Sequence, residues 1–164
     1  MVMKILAFFD AHGRGKNIVK ALDIHSGICD AVVFLGDGVS EIDYVKRKYP
    51  SLAYFSVKGN CDVLFCDGIP EETVVNLDGL KILILHGHKY GVKSGYDRIL
   101  YRAAELEADA VLFGHTHIPF NSVEYVNGKR IQIFNPGSIA SGSYGVLNTS
   151  HGIIVSGHAD INEF

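Results

Sequence analysis

Five short apolar runs, at residues 4–9 (KILAFF), 31–35 (AVVFL), 52–57 (LAYFSV), 81–85 (KILIL) and 110–113 (AVLF), each lead directly into a polar turn that carries a glycine. Runs of this length, apolar throughout instead of alternating, read as strands buried on both faces. Residues 16–24, 39–48 and 95–107 lie between them, and there apolar side chains return every three or four positions, the spacing of an amphipathic helix. The first part of the chain is therefore β-α-β-α-β, with mainly parallel strands whose carboxyl ends point one way.

The second half adds hairpin signals. Residues 73–77 and 81–85 flank Asp78-Gly79, residues 120–126 and 130–134 flank Asn127-Gly128-Lys129, and two short closing strands are expected at 144–147 and 152–155. The expectation is an α/β protein with two sheets and the helices outside, its C-terminal part an antiparallel sheet packed on the first. No linker, charge block or repeat interrupts residues 1–164, which read as a single domain.

Composition narrows what such a domain does. The formal net charge is −3, from 15 Lys+Arg against 18 Asp+Glu, and the basic residues are scattered. Nucleic acid is thus not an expected ligand, and a bound phosphate must be held locally. The run Lys46-Arg47-Lys48 reads as the solvated face of a helix. No apolar stretch approaches the ~18 residues of a membrane span, and the start lacks a basic-then-apolar leader. Three cysteines, Cys29, Cys61 and Cys66, are an odd number for a disulfide framework. These features lead to the expectation of a cytoplasmic protein.

The turns that follow the five strands read Asp10-Ala11-His12-Gly13, Gly36-Asp37-Gly38, Gly59-Asn60-Cys61-Asp62, His86-Gly87-His88 and Gly114-His115-Thr116-His117. Taken singly, each is an ordinary turn or cap. Together they put Asp, His and Asn at five strand ends, the region where open α/β sheets bind ligands. Five of the eight histidines fall in these turns, whereas His25, His151 and His158 lie outside them and receive no role. Carboxylate, imidazole and amide donors suit divalent manganese, iron, zinc or nickel. The neighbouring glycines allow the positive φ or close approach such turns need. His115 and His117, one residue apart, would face the same side of an extended segment.

In order and spacing, Asp10-x-His12, Gly36-Asp37, Gly59-Asn60, His86 and Gly114-His115-x-His117 resemble the calcineurin-like metallophosphoesterase superfamily across residues 10–117. Within it, Gly-Asn-Cys-Asp and Asn135-Pro136-Gly137-Ser138 are similar to the small YfcE-type and archaeal phosphodiesterases. The resemblance implies a four-layer α/β/β/α sandwich with two mixed sheets. It implies two divalent metal ions, Mn2+ first, with Ni2+, Fe2+ or Zn2+ as alternatives. Asp10, His12 and His117 would hold one ion and Asn60, His86 and His115 the other, with Asp37 bridging. Catalytic roles fall on Asp37, Asn60 and His115, and substrate contacts on Asn60 and His88. Such a centre would carry about +2, or about +1 with a bridging hydroxide as nucleophile, and so suits a phosphodiester anion.

The position after Asn60 is where many members carry a histidine thought to protonate the leaving alcohol. Cys61 stands there, and a thiol of ordinary pKa about 8.5 is a poor general acid at neutral pH. The expected activity is hydrolysis of a small phosphodiester, fastest with activated leaving groups, with Lys58, Lys89, Tyr90 and Arg98 available for selectivity. No membrane partner is expected, and a homo-oligomer follows from resemblance alone. The alternatives are a phosphomonoesterase, a nuclease, or a non-catalytic scaffold like the retromer subunit of the same superfamily. Scaffold relatives have altered ligands, whereas all seven positions here keep metal-binding side chains.

Overall fold

In β1 (Val2–Phe8) both faces of the strand are buried from Ile5 onward. Ile5 and Ala7 belong to one apolar layer and Leu6 and Phe8 to another, the period of two that a strand imposes. A strand buried this way needs cover on both sides, and this decides the architecture. The computed structural model, which describes residues 2–64 and 66–164, supplies that cover with helices outside and a second sheet inside.

The first sheet has the order β10-β9-β1-β2-β3, with β2 at Ala31–Phe34, β3 at Ala53–Ser56, β9 at Ser143–Ser150 and β10 at Ile153–Asp160. The second has the order β4-β5-β6-β8-β7, with β4 at Glu72–Leu77, β5 at Leu80–Leu85, β6 at Ala110–Leu112, β7 at Phe120–Val126 and β8 at Lys129–Asn135. Both sheets are mixed. β1, β2 and β3 run parallel, as do β5, β6 and β8, and the remaining pairs are antiparallel.

Three apolar layers hold four layers of structure together. Ile5, Ala7 and Phe9 meet Ile82, Ile84 and Leu112 between the sheets. Leu6 and Phe8 pack on Ile18 and Leu22 of α1 (Gly15–Ile24) and on Ile42 and Val45 of α2 (Ser40–Lys48). Leu83, Leu85 and Phe113 pack on Ile99 and Ala103 of α3 (Asp97–Glu105). Each fully buried aliphatic or aromatic side chain contributes ~1.5–3 kcal/mol. The Lys46-Arg47-Lys48 run occupies the last turn of α2, where cations complement the helix dipole, and Lys48 pairs with Asp23 at 3.4 Å.

Three sequence expectations need correction. The closing strands are longer than 144–147 and 152–155, and they extend the first sheet: β9 pairs antiparallel with β1 on the side opposite β2. The second sheet is mixed, not antiparallel, because β5, β6 and β8 run parallel between antiparallel β4 and β7. The 127–129 turn shrinks to two residues, Asn127 and Gly128 at φ 51° and 79°, the geometry of a tight hairpin turn, and Lys129 joins β8. All three cysteines are free thiols, and among the described residues no helix is long and apolar enough to cross a membrane.

Candidate metal centre

The carboxyl ends of β1, β2 and β3 in one sheet and of β5 and β6 in the other converge at one edge of the sandwich. The backbone ladder continues past the strands there, with Asp10 N–H donating to the Gly36 carbonyl at 3.1 Å and Ala11 N–H to that of Asp37 at 2.9 Å. All seven residues read as ligands from the sequence come together, in two groups joined by Asp37.

Asp10 anchors the first group. Its carboxylate is 3% exposed and lies 2.6 Å from His12 Nε2 and 3.0 Å from His117 Nδ1. Ser138 Oγ donates to Oδ2 at 2.5 Å, whereas Oδ1 is fully buried and has no hydrogen bond despite the nearby imidazole. His86 anchors the second group. Its Nε2 lies 2.9 Å from Asn60 Oδ1, 3.1 Å from His115 Nδ1 and 3.4 Å from Asp37 Oδ2. Donor atoms of Asp37, His86 and His115 lie within 4.8 Å of one another, as do those of His12, Asp37 and Cys61.

The protonation state of His86 follows from its surroundings. Nδ1 faces the Leu35 carbonyl at 2.9 Å, and a carbonyl only accepts, so Nδ1 carries the proton. Burial, the largest influence, holds the pKa of this imidazole below its ordinary value despite the Asp37 carboxylate beside it. The ring is neutral, and Nε2 presents a lone pair. His115 is pushed down to about 4, first by burial and then by His86, so it too is neutral. The His86 Nε2 lone pair thus faces the Asn60 amide oxygen and the Asp37 carboxylate, neither of which has a proton to give it. This arrangement, with the orphaned Asp10 oxygen, fits divalent cations.

Backbone strain marks the same residues. Asp10, His12, Asp37, His115 and His117 all have φ between 37° and 65°, a region few non-glycine residues enter. His115 and His117 are therefore not on an extended segment, contrary to the sequence expectation, and they part company: His115 goes to His86 and His117 to Asp10. The glycine expectation holds at Gly36, φ 95°, where a Cβ would come within 2.5 Å of Gly59 N. Gly59 is needed for closeness alone, since a Cβ there would overlap Asp37 Oδ1.

Three positioning residues escaped the sequence reading. The Asp62 carboxylate accepts N–H bonds from Asp37, Gly38, Val39 and Gly59 at 2.7–3.0 Å, clamping the second turn to the third. Burial pushes its pKa up, and the four N–H donors overcome this, leaving the carboxyl below its usual range. Ser138 holds Asp10, and buried Asn135 donates to the Gly114 carbonyl and to Thr116 Oγ1 at 3.0 Å each, fixing the turn that carries His115 and His117. Their only sequence signals were the Asp after Gly-Asn-Cys and the Asn-Pro-Gly-Ser segment. His88 stands beside the second group, its ring 5.0 Å from that of His86, with Nδ1 buried and unpartnered. The Cys61 thiol is pushed up by burial and by the Asp37 carboxylate, and its N–H is held by Asp37 Oδ1 at 2.9 Å.

Comparison with known proteins adds to this geometry. A family model described as the calcineurin-like phosphoesterase superfamily domain matches residues 3–156. The probable metallophosphoesterase YsnB of Bacillus subtilis is 36% identical over 138 residues, 84% of this chain and 75% of the relative. Among solved structures, a predicted phosphoesterase from Streptococcus pneumoniae superposes with TM-score 0.77 at 28% identity, covering 99% of this chain and 91% of the other. An archaeal phosphodiesterase superposes at 0.71 with 25% identity, over 96% and 100%. Vps29 of Entamoeba histolytica, crystallised with zinc, gives 0.68 at 20% identity over 98% and 100%, a likeness of fold alone.

Proposed function

This chain belongs to the calcineurin-like phosphoesterase superfamily, and from that premise we propose that it is a phosphodiesterase working with two divalent metal ions and a hydroxide shared between them. The observation that supports it most is the position of Asp37, whose carboxylate reaches both the His12 side and the His86–His115 side. When bound, the ions supply a low-pKa water as nucleophile and draw charge from the phosphoryl oxygens.

The chain's own residues do the rest. Asp10, His12 and His117 hold one position and Asn60, His86 and His115 the other, with Asp37 between. The Leu35 carbonyl keeps the His86 tautomer that presents Nε2, and Ser138 and Asp62 fix the two aspartate turns. His88 and the Asn60 amide are placed to touch a bound phosphodiester. Mn2+ remains our first choice of metal, since Asp, His and Asn with no thiolate make a hard-to-borderline donor set.

A scaffold is the second reading, favoured by the fold likeness to Vps29. Metal content does not separate the two, because that Vps29 was crystallised with zinc. Turnover does. The test is a screen of phosphomonoesters, cyclic nucleotides and linear diesters on metal-reconstituted protein, with metal measured on the same sample. Hydrolysis of linear diesters in proportion to bound metal is expected; a fully loaded protein inert toward all three classes would overturn the enzyme reading.

A further inference from the structure

The ligand groups open onto two grooves of opposite character. On the Cys61 side, a groove of about 460 Å³ is walled by Val63 and Leu64, 81% and 72% exposed, and its lining includes Asp62 but no Lys or Arg. On the other side, a cleft of about 820 Å³ begins at Asp10 and His12 and runs between α1 and the segment following β8. Arg14, just before α1, and Asn17 and Lys20 within it line this cleft, with Ser141 and Asn162 facing them. Its single carboxylate is Asp10, at the metal end.

The cleft is built to hold an anion. Arg14 Nη1 donates to the Ala140 carbonyl at 3.1 Å, which sets the guanidinium against the wall and leaves its other N–H groups available. Asn17 Nδ2 is tied to the Ile139 carbonyl at 2.9 Å. Among the described residues neither Arg14 nor Lys20 has an ion-pair partner. The first turn of α1 carries no acidic residue of its own, and the carboxylate that meets it, Glu41 of α2, accepts from Gly15 N–H at 3.2 Å and does not line the cleft, so the cleft's attraction for an anion rests on Arg14 and Lys20. Two cations, amides and hydroxyls gain little from an aryl or alkyl group, whereas a phosphate dianion satisfies several of them at once.

We propose that this cleft is a subsite for a second phosphate, and that the substrate is a diester whose retained portion carries a further phosphate, as in a nucleoside bisphosphate unit. The proposal rests on the phosphodiesterase reading. The Val63–Leu64 groove, with its carboxylate and no cation, is left for the leaving group.

Two esters with one leaving group test it: thymidine 5′-(4-nitrophenyl phosphate) and the same compound bearing a 3′-phosphate. For the metal-loaded protein at low salt, kcat/KM should be about tenfold or more higher for the 3′-phosphorylated ester, mainly through KM, because exposed charges act most strongly when unscreened. In the double variant Arg14→Ala/Lys20→Ala the ratio should fall toward one. Lys129→Ala, which removes a charge at the far end of β8, should keep it. A ratio near one in the parent, or one that survives the double substitution, overturns the subsite. Calorimetry with thymidine 3′,5′-bisphosphate and thymidine 5′-phosphate repeats the comparison without turnover. If neither ester is hydrolysed while the bisphosphate binds tighter through Arg14 and Lys20, the subsite stands and the phosphodiesterase reading falls. Equal affinities overturn the subsite.

Discussion

His86 Nδ1 donates to the carbonyl oxygen of Leu35 at 2.9 Å, a bond between the strand end of one sheet and that of the other. It fixes which nitrogen faces the candidate centre and makes the imidazole part of the seam between the sheets. Protonating the ring would place a cation in a fully buried site, where desolvation opposes it.

The pH dependence of the metal-free protein follows. His115 is pushed from 6.5 down to about 4, and His86 shifts in the same direction, so the unfolded chain binds these protons at higher pH than the folded one. Protons are taken up on unfolding in that window, and stability therefore falls as pH drops from about 6.5 toward 4. Denaturant midpoints measured on metal-stripped protein across this range should show the decline, and His115→Gln should flatten it. A midpoint independent of pH there would contradict the neutral-imidazole assignment.

Removing the shared carboxylate tests the centre directly. Asp37→Ala takes one donor from each group, so both ions should be weakened together, and diester hydrolysis should fall ~10³-fold or more if the ions supply several kcal/mol of transition-state stabilisation. Metal per protein, measured by atomic emission after dialysis, should drop toward zero. Full activity in the repurified variant would show that the ligand set is misassigned.

Much of this was legible in the sequence, for identifiable reasons. Buried strands announce themselves by continuous apolar runs, and a run such as KILIL stops where the turn begins, so the positions of Asp10, Asp37, Asn60, His86 and His115 just beyond strand ends could be read directly. What could not be read was set by distant partners. β9 lies against β1 because the edge of β1 opposite β2 offers backbone N–H and C=O groups that need a partner strand, a requirement that alternation within residues 143–150 does not reveal. The left-handed conformations of His115 and His117 depend on Asn135 holding the Gly114 carbonyl from 21 residues away. Asp62 bonds amides 23 to 25 residues upstream, and backbone N–H groups leave no trace in a sequence.

Asp62 accordingly carries a prediction about stability. Asp62→Asn keeps the shape but offers one acceptor oxygen and turns an NH2 toward N–H donors, which should cost about 2–4 kcal/mol. The folded-state pKa lies below the ordinary 3.8, so the carboxylate's contribution is present above that value and is lost as pH falls through the folded pKa. The variant should thus lose the steepest, most acidic part of the parent's acid unfolding curve, below about pH 4, and keep the histidine-dependent slope above it. Urea denaturation at neutral and acidic pH measures both.

The leaving group is the last point where the geometry commits itself. Cys61 stands beside His12 and Asp37, where a proton donor would meet a departing alcohol, but burial and the Asp37 carboxylate push its pKa up. A thiol held protonated is a weak acid for an alkoxide and irrelevant to a phenolate that leaves unaided. Among diesters differing only in the departing group, the parent should turn over aryl esters readily and alkyl esters slowly. Cys61→His should raise the alkyl rate, by roughly 10²-fold if the imidazole reaches the usual worth of general acid catalysis, with little change for 4-nitrophenyl esters. Because a general acid must be protonated to act, the gain should disappear as pH rises past the new imidazole's pKa. Equal aryl and alkyl rates in the parent would mean that a group other than Cys61 already supplies the proton, and His88, whose Nδ1 has no partner, is the first to substitute.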